Sequence, residues 1–411
     1  MNGKIDKNAV FDFLLWGNLF SIEEKSSYVL PYKNCKGGYN EYEEPFYVDK
    51  TRQLLLDSVQ NSIEGKDKIA LMLDNQIHSA ALLCCIRKLN RDISLTAFIH
   101  SDLLDDREHF LIENLMKETK VDLVKIKCDK HLIIKQLIDA NKSQDMPVAN
   151  VHSVFQYNFM AAAKQHGFDV VMDSQGADEL FAGYSDYFPP FFKSLRSQWM
   201  FTDWLNELLH LGNSPVSFKE IVTKKLTNRT KPQALAFFNK EYVDLYLSRS
   251  QCIIENKSVL NDYLYESFTC FLPSFIRFKK NRAANFEMDC LSPFSNSKAL
   301  AECIFSIPST FKIHNGWNNY LLRASMVGIV PDEIRWRKQK SDAYFIERKL
   351  LNKTGNELKK QISQLEDTDN FIDKHTLLKK WDSLYKSENI HFQKFAFRYF
   401  SYLIWRNEVF R

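Results

Sequence analysis

Glycine is scarce in this chain, with 12 in 411 residues, and proline is scarcer still at 11. A collagen-like or Gly/Pro-rich low-complexity protein is therefore excluded. The eight cysteines are scattered and none forms a C-x-x-C pair, so no zinc or haem spacing is present. The ten histidines are dispersed as well, with no H-E-x-x-H. No apolar run approaches the length of a membrane span, and the opening MNGKIDKNAV lacks the pattern of a signal peptide. A reduced, cytoplasmic protein with no membrane partner is the expectation. A strong charge imbalance is also missing: the net charge is only +4, with Lys and Arg spread between acids rather than gathered on a stripe. That pattern argues against a nucleic-acid partner. No internal repeat stands out.

What is present is an ordinary globular composition, 45% apolar and 26% charged, unusually rich in Phe with 32 residues. Asn34 to Glu44, around Gly37 and Gly38, reads as a polar linker, and residues 1–60 as a linker-like segment. Beyond it, strand, loop and helix alternate. Apolar runs at 69–73, 95–99, 121–126 and 169–173 predict strands, and 79–89, 107–119 and 151–166 predict helices. This order predicts an α/β fold with a parallel sheet over 61–190. Segments 216–225, 232–249, 356–365 and 391–406 read as helices, making 191–411 a mainly helical part. In a parallel sheet ligands bind at the carboxyl ends of the strands near a switch in strand order. The loops 74–78 and 174–178 are therefore where chemistry is expected.

The second loop carries the clearest motif, Val170-Val-Met-Asp-Ser-Gln-Gly-Ala-Asp-Glu-Leu-Phe-Ala-Gly-Tyr184. It resembles the stretch L-S-G-E-G-A-D-E-L-F-G-G-Y of the asparagine synthetase family. Other landmarks follow in family order. Ala9 to Leu30 resembles the segment joining the family's glutaminase and synthetase halves. Lys279 to Phe294, with Ala283, Glu287, Pro293 and Phe294, resembles A-x-x-x-E-x-R-x-P-F with two extra residues. Leu322-Arg-Ala324, Val330-Pro331 and Arg337-Lys-Gln-Lys340 resemble L-R-x-A, L-P and R-x-x-K. The resemblance implies a sheet of the ATP-pyrophosphatase type, with ATP and Mg2+ as cofactors. It implies a small-molecule or peptide carboxylate as substrate, activated as an acyl-adenylate and captured by ammonia or an amine. A partner protein supplying substrate or amine would fit a chain without a glutaminase half. That half begins in the family with a Cys after Met1, whereas Asn2 stands here, so glutamine hydrolysis by this chain alone is not expected.

By the same resemblance Leu73, Asp74, Ser79, Ser174 and Gly176 would bind the nucleotide, and Lys340 would be the catalytic lysine. Glu287 would be a substrate-side acid or base. Asp178 would be a metal ligand, joined by Asp173 and Asp74, which replace the Ser that begins each family loop. Bland readings stand beside these. Asp178 could cap a helix, Lys340 could be a solvated charge, Arg323 could pair with an acid, and Glu287 or Asp289 could pair with Lys279, Lys280 or Arg282. The first loop departs most: Asp74-Asn-Gln-Ile-His-Ser79 replaces S-G-G-x-D-S, with His78 in place of a magnesium-binding Asp. Imidazole is a poor magnesium ligand, and Asn75 and Gln76 add side chains where backbone should approach phosphate closely. A catalytically degenerate family member, acting as a binding or scaffold subunit, is the alternative expectation.

Overall fold

The structure is a computed structural model. It describes residues 6–17, 37–101, 104–127, 133–143, 146–214, 233–249, 259–338, 343–386 and 389–409. Five strands form one parallel sheet: β1 (Lys68–Met72), β2 (Ser94–His100), β3 (Asp122–Ile126), β4 (Val170–Met172) and β5 (Asp289–Leu291). Their order is β3-β2-β1-β4-β5. The order reverses at β1, where the chain leaves β3 and returns on the other side as β4. Ala70 pairs with Val171 and Leu71 with Met172, so the carboxyl ends of β1 and β4 are neighbours, as the loop pattern predicts.

Both faces of the sheet are covered. Ile69, Leu71 and Leu73 point into one core with the helices α2 (Glu44–Ile63), α3 (Ile77–Leu89) and α4 (Asp106–Thr119). Ala70, Phe98 and Val171 meet Phe159 and Ala163 of α6 (Val151–Gln165) on the other face, together with Ala283 of the helix Leu272–Asn285. This alternation is the period of two expected of a strand buried on both faces.

Two expectations change here. Residues 1–60 are not linker-like throughout. α1 (Lys7–Trp16) and α2 are helices, and Leu55, Val59 and Ile63 of α2 are fully or nearly buried. Burying each such side chain contributes roughly 1.5–3 kcal/mol, so α2 belongs to the sheet's own core. The part beyond 191 is mainly helical, yet it returns a strand: β5 pairs with β4 through Val170–Asp289, Val171–Cys290 and Met172–Leu291. The expected helix at 216–225 lies outside the described residues. The helix at 391–406 is found as Ile390–Ile404, and it is buried on nearly every side. With α1, α5 (Ile133–Lys142) and the helices Ala343–Gln364 and Lys374–Lys386 it forms a second, aromatic-rich core. Arg398 reaches from it to donate to the carbonyls of Leu14 and Leu15, each at 2.9 Å. Among the described residues no helix is long and apolar enough to cross a membrane.

Candidate active site

The first loop leaves β1 as Leu73, whose N–H donates to the Phe98 carbonyl at 2.9 Å and whose side chain is buried in the core. Asp74 then turns the chain. Its Oδ1 accepts from the Gln76 N–H at 2.9 Å and from the Ser79 hydroxyl at 2.5 Å. Such local side-chain bonds are what Asp and Ser supply at a turn into a helix. The next residue, Asn75, is buried and donates at 2.8 Å to Glu108 Oε1. Glu108 itself completes a capping box with Asp105 at the start of α4. The loop is thus tied to α4 by side chains, where the family pattern would leave backbone open.

α3 begins at Ile77, two residues earlier than the sequence predicts, so His78 sits in its first turn. There it is 5% exposed. Nδ1 is hydrogen-bonded to Ser174 Oγ at 2.7 Å, and Nε2 lies 3.4 Å from Asp178 Oδ2. Burial works against the charged ring, but the carboxylates of Asp178 and Asp74 outweigh it and raise the pKa to about 9.

The second loop is built on glycine. Gly176 has φ 101°, and a Cβ there would meet Ser295 Cβ at 2.9 Å. The left-handed conformation and the close packing both call for Gly. It starts α7 (Ala177–Phe181), so Asp178 lies inside this short helix and is not its cap. Gly183 lets the chain pass close by: a Cβ there would stand 1.7 Å from Asp178 Oδ1. The Asn319 side chain also donates to that oxygen, at 3.4 Å.

Asp173 ends β4. Its Oδ1 accepts from Lys279 Nζ at 2.8 Å, Ser292 Oγ at 2.9 Å and the Gln175 N–H at 3.1 Å. Lys279 is 1% exposed and also donates to Ser292 Oγ. Lys279 therefore serves Asp173, not Glu287, while Asp289 pairs with Lys66 at 2.7 Å. Nothing in local spacing announces this ion pair between residues 106 positions apart.

The structure gathers Asp74, Ser79, Ser174, Gly176 and Asp178 around the ends of β1 and β4, but not as one acidic cage. Asp74, Asp173 and Asp178 each have a different partner, and among the described residues no group of three or more His, Cys, Asp and Glu side chains is arranged to hold a metal ion. Magnesium demands hard oxygen ligands in near-octahedral array. An imidazole against Asp178 and an ammonium against Asp173 do not meet that demand, so these residues do not fit the ion. Glu287 needs a larger correction. It is exposed and precedes β5, at the amino edge of the sheet, whereas the loops lie at the carboxyl edge. A parallel strand separates the two by its own length, so Glu287 does not reach the site. Arg323 is buried and donates to the carbonyls of Asn318 at 2.9 Å and Arg335 at 2.5 Å, a structural role. Lys340 lies outside the described residues. Two buried amide oxygens nearby, Gln175 Oε1 and Asn319 Oδ1, have no hydrogen-bond donor among the described residues.

Sequence reading passed over His100. It ends β2, beside the same edge of the sheet, and its Nε2 is buried with no partner among the described residues. Burial, with His152 nearby, lowers its pKa to about 4. Arg337, from the R-x-x-K stretch, is buried as well, and desolvation lowers its pKa despite the carboxylates of Glu108 and Asp74.

Comparison with known proteins agrees with the architecture. The asparagine synthase family profile matches residues 50–405. The chain is 27% identical over 266 residues to "Asparagine synthetase [glutamine-hydrolyzing] 1" of Bacillus subtilis (strain 168); the match covers 57% of this chain and 39% of that protein. A family match over most of the chain, on a sheet whose order reverses between the two loops, places this protein in the asparagine synthase family.

Proposed function

We propose that the chain forms an amide bond at the expense of ATP. A small-molecule or peptide carboxylate attacks the α-phosphate, pyrophosphate leaves, and ammonia or a substrate amine displaces AMP from the acyl-adenylate. The observation that carries this reading is the meeting of the 74–78 and 174–178 loops at the point where strand order reverses, with Gly176 and Asp178 held in the tight turn that the family motif requires. Family membership supports it. Leu73, Asp74, Ser79, Ser174 and Gly176 would border the nucleotide, and Lys340 would stabilise the charge that develops during transfer. Gln175 Oε1, a buried acceptor, suits an incoming N–H donor. A cytoplasmic setting, and a partner protein delivering substrate or amine, belong to the same proposal.

A second reading is a catalytically silent subunit that keeps the fold as a binding surface. It is favoured by the side chains of Asn75 and His78, which fill the first loop where phosphate would approach backbone. ATP–pyrophosphate exchange across candidate carboxylates, with nucleotide binding measured in parallel, separates the two. Exchange that is lost in Lys340→Ala supports the ligase. A chain that binds no ATP, alone or with its native partner, rules the ligase out.

A further inference from the structure

Two carboxylates facing each other across this cleft would need a cation between them, because like charges at such range raise each other's energy. Here only one of the two positions is acidic. His78 stands in the first loop and touches both Ser174 and Asp178 of the second, one through each ring nitrogen. The ring has almost no freedom to withdraw, since its side chain is buried among the first turn of α3 and the second loop. Gly183 packs close against Asp178 Oδ1, and Oδ2 is the oxygen that faces the ring. Nε2 and Oδ2 stand 3.4 Å apart, an ion-pair distance without hydrogen-bond geometry, and that gap has no space for an ion and its ligand shell. The neighbouring acid is answered likewise, since Asp173 accepts from the buried ammonium of Lys279.

We propose that His78 is the built-in replacement for a divalent ion in this cleft, so that the two loops are bridged by a side chain and Asp178 recruits no metal. Lys279 does the same for Asp173. The cleft is then assembled permanently, and any anionic ligand meets Asp178 and Asp173 already neutralised from within. This goes beyond the ligase reading and holds for a silent subunit too.

The test is a manganese titration of the full chain, following the free-ion signal by electron paramagnetic resonance, with and without α,β-methylene-ATP. The wild type and Asp178→Asn are expected to give the same curve in both conditions. His78→Asp is expected to gain one ion per chain, lost again in the double variant His78→Asp/Asp178→Asn. Uptake of one ion by the wild type that disappears in Asp178→Asn overturns the proposal. So does a folded His78→Asp chain that gains no ion. Should His78→Asp fold only with manganese or magnesium present, that dependence reports the same site. The wild-type and Asp178→Asn arms decide the question without it. Failure of the ligase reading shows as absent pyrophosphate exchange, whichever way the titration falls.

Discussion

Lys279→Met gives the sharpest test of how the cleft is held. The substitution keeps an unbranched side chain, one heavy atom shorter, and removes its charge. It deletes the 2.8 Å bond to Asp173 Oδ1 and the bond to Ser292 Oγ. Asp173, 8% exposed, would keep the Ser292 hydroxyl and the Gln175 N–H. Two neutral donors do not replace an ammonium, and breaking a buried pair from one side costs about 3–5 kcal/mol. Asp173→Ser, which restores the residue that the family pattern has there, should also destabilise the chain by leaving Lys279 buried without its carboxylate. Together the two changes remove both charges, so the double variant should lose much less than the sum of the singles, with a coupling of about 2 kcal/mol. Urea unfolding followed by tryptophan fluorescence measures all four chains. A loss below about 1 kcal/mol for Lys279→Met, or strict additivity in the double variant, would refute the assignment of this pair as the internal support of β4.

Two further outcomes follow from buried groups. His100 titrates near pH 4 in the folded chain because burial disfavours its charge, against about 6.5 when unfolded. The unfolded state takes up the proton first, so stability should fall by roughly 3 kcal/mol as the pH drops from about 6.5 to 4. In His100→Leu this part of the decline should vanish in unfolding curves taken across that range, and an unchanged slope would count against it. Gly176→Ala should cost about 1–3 kcal/mol, since it combines a left-handed backbone with a contact 2.9 Å from Ser295 Cβ. Ser295→Gly in the same chain should recover the steric part alone, as read by thermal unfolding.

Much of the fold was legible because β1, β2 and β4 are apolar runs bounded by polar loops, and their meeting point follows from parallel topology. The first loop's departure from the family pattern was legible too, in Asn75, Gln76 and His78. α2 was missed because its buried apolar positions, Val48, Leu55, Val59 and Ile63, are spaced among polar residues and exposed Phe46, and the helix follows a polar stretch with a glycine pair. β5 was missed because three residues carry no period of their own, and only pairing with β4 makes them a strand. Glu287 was misplaced for the same reason: motif spacing says nothing about which end of a strand a residue occupies. Asp74, Asp173 and Asp178 looked like one acidic cluster because Asp74 and Asp173 follow neighbouring strands. Side-chain partners decided otherwise, one from five residues on and one from the far helix.

The clasp of Arg398 on α1 sets an order of events during synthesis. The sheet and the helices on its faces draw on residues up to 334, so that core has its parts before residues 335–411 are made. The aromatic core draws on both α1 and the helix Ile390–Ile404, and it lacks its central member until residues 390–404 have been made. α1 waits with Phe11, Phe13 and Leu14 uncovered for a partner more than 370 residues behind it. That interval is when a holding chaperone would find its binding site.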